Sequence, residues 1–240
     1  MTTRLERVAA VLQKFPPAFS AARSGRQLAG IVCRQSQVRR YLASARDFAA
    51  LQIGAGPHHL DGWLASDILP WDLRTVYADA TKPLPFDDET FDYIIAEHII
   101  EHLEYKDAML MLRECYRILK DKGVLRLSTP DIMLTHRLMN RPLTDTLERY
   151  VSWSNRTFDG AVDPQSAVHA VNRLQHEWGH KFLYDEETLS NALTHSGFAN
   201  VTRRTPNESA HPALTSVDRH AAEIGVEFNA LESLIVEATK

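Results

Sequence analysis

Residues 83–131 decide the fold: PLPFDDETFDYIIAEHIIEHL (83–103), then RECYRILKDKG (113–123) and VLRLSTPD (124–131). FDYIIAEH and GVLRLST are apolar runs of strand length. Between them, from about Lys106 to Lys120, Ala108, Leu112, Cys115 and Leu119 share one helical face, and Gly123 follows as a stop. Strand, helix, strand predicts neighbouring parallel strands, because a parallel pair needs a crossover between its members. Ligands of such sheets lie outside the carboxyl ends of the strands, which puts Glu97, His98 and Asp131 at the working edge.

Upstream, FAALQIG (48–54), WLASDI (63–68) and TVYADA (75–80) are further short apolar runs and extend the α/β pattern. Residues 1–47 read as a helical arm with breaks at Pro16-Pro17 and near Gly25 and Gly30. Downstream, residues 132–182 are rich in Arg, His, Asn, Trp and turn formers, and read as a lid inserted over the carboxyl edge. Asp185 then caps a helix, DEETLSNALTHSG, that stops at Gly197. Strands at ANVTRRT (199–205) and ESLIVEA (232–238) follow. The expected organisation is an arm over 1–47 and one domain over 48–240 that carries the 132–182 lid.

At 240 residues, 44% hydrophobic and 24% charged, the chain suits one globular domain with a full core. Cys33 and Cys115 are far apart and suit two buried thiols in a reducing compartment rather than a disulfide or a CxxC site. The first residues lack the apolar stretch of a secretory leader, and no segment is long and apolar enough to span a bilayer. A soluble, cytoplasmic protein is expected. The net charge of -4 is uneven: residues 1–50 carry nine Lys/Arg against Glu6 and Asp47. Such a basic arm suits an anionic surface, or packing on its own acidic domain.

The candidate chemistry lies at the strand ends. Gly54 and Gly56 follow the first strand, where bare backbone admits a ligand. Asp67 and Asp79 end the next two, where a carboxylate accepts ribose hydroxyl or adenine amino hydrogens. The series GxG, Asp67, DAT-PLPF, FDYIIAEHIIEHL and RECYRILKDKGVLRLSTPD resembles the class I S-adenosylmethionine-dependent methyltransferases, particularly the broad group that includes enzymes of sugar and natural-product pathways. The likeness covers residues 48–131 and extends more loosely through HKFLYDEETLSNALTHSGFANV and ESLIVEATK.

That resemblance implies a Rossmann-like, seven-stranded, mostly parallel sheet with an antiparallel last strand. It also implies S-adenosyl-L-methionine as cofactor. Gly54, Ala55 and Gly56 would line its methionine part, Asp67 and Ile68 its ribose, Asp79 and Ala80 its adenine, and Glu97 its sulfonium end. Gln52 stands where the family usually has an acid, and His58 replaces the loop's third glycine. Only PHHLDGW separates Gly56 from the second strand, so the first crossover helix is expected to be short or missing.

Methyl transfer needs in-line alignment and, for a hydroxyl acceptor, a base. His98 and His102 are the candidates; alternatively they pack structurally. At i, i+3, i+4, His98, Glu101 and His102 also resemble the ExxEH pattern of metal-dependent O-methyltransferases, although the expected metal complement is none. HEWGH (176–180) spells a zinc-protease HExxH, but Trp178 and Gly179 suit a loop better than a helix interior. His176, His180, Tyr184 and Asp131 are candidate acceptor contacts, with Asp131 alternatively a helix cap. The expected activity is methylation of a hydroxyl or amine on a small-molecule or sugar-containing acceptor, as in polysaccharide biosynthesis. A non-catalytic nucleotide-binding scaffold and a zinc hydrolase are the rival readings.

Overall fold

The computed structural model describes residues 16–70, 72–158 and 165–240, with side chains from Gly25 onward. Arg4, Arg7 and Lys14 of the basic arm lie outside the described residues. Helix α1 (Pro16–Ser44) runs without interruption, so the breaks expected at Gly25 and Gly30 do not occur. Prolines are tolerated in a first helical turn. Gly30 is there for contact: a Cβ would meet Tyr77 Cβ at 2.7 Å and Pro70 Cγ at 2.9 Å.

Seven strands follow: β1 (Ala50–Ile53), β2 (Leu64–Asp67), β3 (Val76–Tyr77), β4 (Phe91–Glu97), β5 (Leu119–Pro130), β6 (Ala199–Arg204) and β7 (Ser233–Thr239). Their order is β3-β2-β1-β4-β5-β7-β6, and β7 alone is antiparallel to its neighbours. The order reverses between β1 and β4, the switch point where open α/β sheets bind ligands. Both the seven strands and the antiparallel last one match expectation.

On one face, α2 (Tyr105–Ile118) buries Ala108, Met111, Leu112, Cys115 and Ile118. Leu119, expected on that helix, instead opens β5. Helix α6 (Glu186–His195) packs Leu189 and Leu193 into the same core. Its cap is the predicted one, Thr188 N–H donating to Asp185 Oδ1 at 2.8 Å, and Gly197 follows at φ 107°. Cys115 is buried, whereas Cys33 is only half-buried, on a helix partly open to solvent.

The other face carries a row running from Gln52 through Ile95 and Arg126 to Glu237. No helix joins β1 to β2, as expected from the short PHHLDGW segment. Gln52 holds that connection at both ends of its amide, donating to His58 O (2.9 Å) and accepting from Leu60 N–H (3.0 Å). An acid could not donate, which accounts for glutamine here. The long β6–β7 connection, residues 205–232, supplies the cover the missing helix would give: Val217 packs with Leu60 and Ile95. Arg126, wholly buried, anchors it with all five N–H donors used, on Asp218 Oδ1 and Oδ2, Glu237 Oε1, Glu208 O and Thr205 O.

The 132–182 segment forms α3 (Met133–Met139), α4 (Asp145–Phe158) and α5 (Ala167–His176) around its own cluster of Leu134, Leu138, Leu147, Tyr150 and Leu174. Short helices α7 (Ala221–Ile224) and α8 (Val226–Glu232) follow in the β6–β7 connection, and Phe228 and Leu231 of α8 join that cluster.

Candidate active site

A cleft opens at the switch point, lined by Gln52 to His58, Ile95, Glu97, His98, Arg219, His220 and Glu223. Gly54 sits at φ 68°, and a Cβ there would strike Ile99 Cδ1 at 2.0 Å. Gly56, at φ 52°, has nothing within 4 Å of where a Cβ would stand. One glycine is thus required by packing and the other presents bare backbone. Asp67 ties this loop to β2: its Oδ2 accepts Gly56 N–H at 3.0 Å and its Oδ1 accepts Leu69 N–H at 2.7 Å. Burial raises its carboxyl pKa against those two bonds.

The predicted cofactor residues therefore divide. Gly54, Ala55, Gly56 and Glu97 line the cleft, and Asp67 is bonded to its loop. Ile68, Asp79 and Ala80 stand further along the edge, outside the cleft lining. Burial works against the Asp79 charge, but Thr81 and Lys82 hold its carboxyl below the ordinary value, Thr81 Oγ1–H donating at 2.7 Å. Glu97 carries a structural duty unseen in the sequence: its carboxylate accepts Arg219 N–H (2.8 Å) and His220 N–H (3.0 Å), latching the β6–β7 connection over the cleft.

His98 stands in the left-handed region at φ 52°. Its Nδ1 faces Glu101 Oε1 at 3.1 Å, and Glu101 Oε2 accepts Thr129 Oγ1–H at 3.1 Å. Burial disfavours both charges, yet each holds the other ionised: the His98 pKa is raised and the Glu101 pKa lowered. His102 turns away from the cleft. Its ring lies 5.1 Å from that of His180, and burial lowers its pKa. The acids and imidazoles able to share an ion among the described residues are Glu101, His102 and His180, within 4.8 Å of one another; His98 is not one of them.

None of the four predicted acceptor contacts lines the cleft. Asp131 is buried; its Oδ1 accepts Met133 N–H (2.9 Å) as a turn cap, and its Oδ2 accepts from Arg203 Nη2 (3.2 Å). Tyr184 is wholly buried beside Phe182 because it bridges to Asp131 in the core. His180 Nδ1 bonds Leu174 O at 2.6 Å. His176 is the exposed last residue of α5, and Trp178 (φ 64°) and Gly179 (φ 78°) turn the chain away from helix. HEWGH therefore lacks the helical turn that brings both imidazoles to one zinc. The residues missed in sequence are His220 and Glu223, brought in by a connection whose path no local pattern reveals.

Residues 33–127 match the family model described as "Methyltransferase domain". A demethylmenaquinone methyltransferase of Clavibacter sepedonicus is 31% identical over 159 residues, which cover 62% of this chain and 58% of that protein. The chain thus spans less than two thirds of that relative's length. A methyltransferase of Archaeoglobus fulgidus is 19% identical, with 94% of this chain and 100% of that one covered at a TM-score of 0.46. One from Mesorhizobium loti is 18% identical, with 85% and 95% covered at the same score. S-adenosylmethionine is the cofactor of this domain, and the residues fit it: a bare-backbone loop at the switch point, with carboxylates ending β2 and β4. The chain therefore has the class I S-adenosylmethionine-dependent methyltransferase fold and carries that methyltransferase domain over residues 33–127.

Proposed function

We propose that this chain transfers a methyl group from S-adenosylmethionine to a hydroxyl, or an amine, of a small-molecule or sugar-containing acceptor. The observation that carries the reading is one cleft joining the glycine loop, Glu97 and the His98–Glu101 pair at the β1/β4 switch point. The sulfonium supplies an electrophilic methyl when bound. Gly54 to Gly56 and Asp67 hold the cofactor, Glu97 keeps the cleft wall in place, and Ile95, backed by the buried Leu60 and Val217, gives the cleft an apolar surface. A role in polysaccharide biosynthesis and a cytoplasmic setting belong to the same reading, the latter supported by two unpaired cysteines. No described helix is long and apolar enough to cross a membrane. Arg26, Arg39, Arg40 and Arg46 are exposed, which supports contact of the arm with an anionic surface.

Calorimetric titration with S-adenosylhomocysteine tests the cofactor. Binding is expected, and its absence at millimolar ligand would overturn the reading. A labelled-methyl screen across nucleotide sugars, glycans, phenols and reduced naphthoquinones then identifies the acceptor; cofactor binding with no transfer to any of them favours the scaffold reading.

A further inference from the structure

Three imidazoles line the cleft: His58 stands exposed on the β1–β2 loop, and of the neighbouring pair His98 and His220 only one has a nitrogen to spare. His98 Nδ1 faces Glu101. Its Nε2 faces Ser233 Oγ at 3.3 Å, and the Ser233 hydroxyl hydrogen goes to Asn229 Oδ1 at 2.7 Å. Ser233 therefore accepts, both His98 nitrogens donate, and the ring has no lone pair for a substrate proton. The His220 ring lies against that of His98, tilted by 43° with ring centroids 4.1 Å apart. Its Nε2 faces Glu232 Oε1 at 3.4 Å, and Glu232 Oε2 accepts the Tyr150 hydroxyl at 2.6 Å. Among the described residues Nδ1 of His220 has no hydrogen-bond partner, and the backbone of the same residue is fixed on Glu97.

We propose that His220 is the general base of the transfer, oriented by Glu232, and that His98 is a fixed cation beside it. The proposal rests on the methyl-transfer reading above. The acceptor hydroxyl proton passes to Nδ1 of His220 as the acceptor oxygen bonds to the methyl carbon. The carbon–sulfur bond breaks with its electron pair left on sulfur, and the His220 imidazolium then returns its proton to solvent. Glu232 stabilises that imidazolium, as the carboxylate of a His-carboxylate pair does. The other charged groups facing His220 are His98, Glu97 and, from its own segment, Arg219 and Glu223.

The test is nitrogen-15 magnetic resonance of the full chain with labelled imidazoles near neutral pH, with and without S-adenosylhomocysteine, assigned through His98→Gln and His220→Gln. His98 is expected to carry protons on both nitrogens and His220 on Nε2 alone, with Glu232→Gln redistributing the His220 proton between its nitrogens. A His220 ring whose single proton sits on Nδ1, or whose state ignores Glu232→Gln, overturns the proposal. On a screened hydroxyl acceptor such as catechol, His220→Gln should lower turnover about 10²–10⁴-fold, remove the acidic limb of the pH–rate profile and leave S-adenosylhomocysteine affinity within about threefold. Unchanged turnover also overturns it. Failure of the wild type to bind S-adenosylhomocysteine strikes the methyl-transfer reading instead, and the imidazole spectra still decide the state of His220.

Discussion

Gly30 shows how one position sets two effects against each other. Alanine in a helix interior gains about 1 kcal/mol over glycine. Here its Cβ would stand 2.7 Å from Tyr77 Cβ, and forced overpacking costs about 1–3 kcal/mol. Gly30→Ala should therefore lower the denaturation midpoint despite the better helix former, whereas Gly25→Ala, with open space around it, should raise it. His98 and Glu101 make a second residue-scale prediction. The Glu101 pKa is lowered on folding, so its contribution is complete above the ordinary carboxyl value of 4.5 and lost as pH falls through the folded one. The His98 pKa is raised, so its contribution is complete below 6.5 and lost as pH rises through the folded one. The melting-temperature difference between wild type and a His98→Gln/Glu101→Gln double variant should peak between those values. A difference that does not change with pH would refute the ion pair.

At the scale of elements, the β1–β2 loop is held by side chains rather than by a helix, so its order should depend on them. Asp67→Ala removes the acceptor for Gly56 N–H and the carboxylate at the β2 end, and should weaken S-adenosylhomocysteine binding by tenfold or more, about 1.4 kcal/mol. Unchanged affinity would displace the cofactor from this loop. Apart from the exposed β6, the strands and α2 were legible in the sequence because each buries one face or both, and that burial writes itself as apolar periodicity. Asp185 and Gly197 were legible because capping is local chemistry. The acceptor side was not legible. His176, His180, Tyr184 and Asp131 were candidate acceptor contacts, yet Asp131 takes its alternative role as a local cap and also binds Arg203 from a distant strand, and Tyr184 fills core. His220 is held at the cleft by contacts far apart in sequence, Glu97 accepting its backbone N–H and Arg126 anchoring the neighbouring Asp218.

Across the whole molecule, Arg126 joins β5, β7 and the β6–β7 connection into one unit, with Arg204 balancing Glu237 through a 2.8 Å bond. Arg126→Met removes one partner of a buried pair and strands Asp218, so a loss of about 3–5 kcal/mol in unfolding free energy is expected in denaturant titration. A loss under about 1 kcal/mol would mean the network is cosmetic. The same guanidinium has a consequence for synthesis. Its carboxylate partners lie 92 and 111 residues later, so it is synthesised well before either of them. Strand β7 must also slot between β5 and β6, a long-range pairing that is slow to form. A nascent chain with the cofactor loop already made therefore still lacks one wall of its cleft. The cleft is complete only once Asp218, His220 and β7 are all in place.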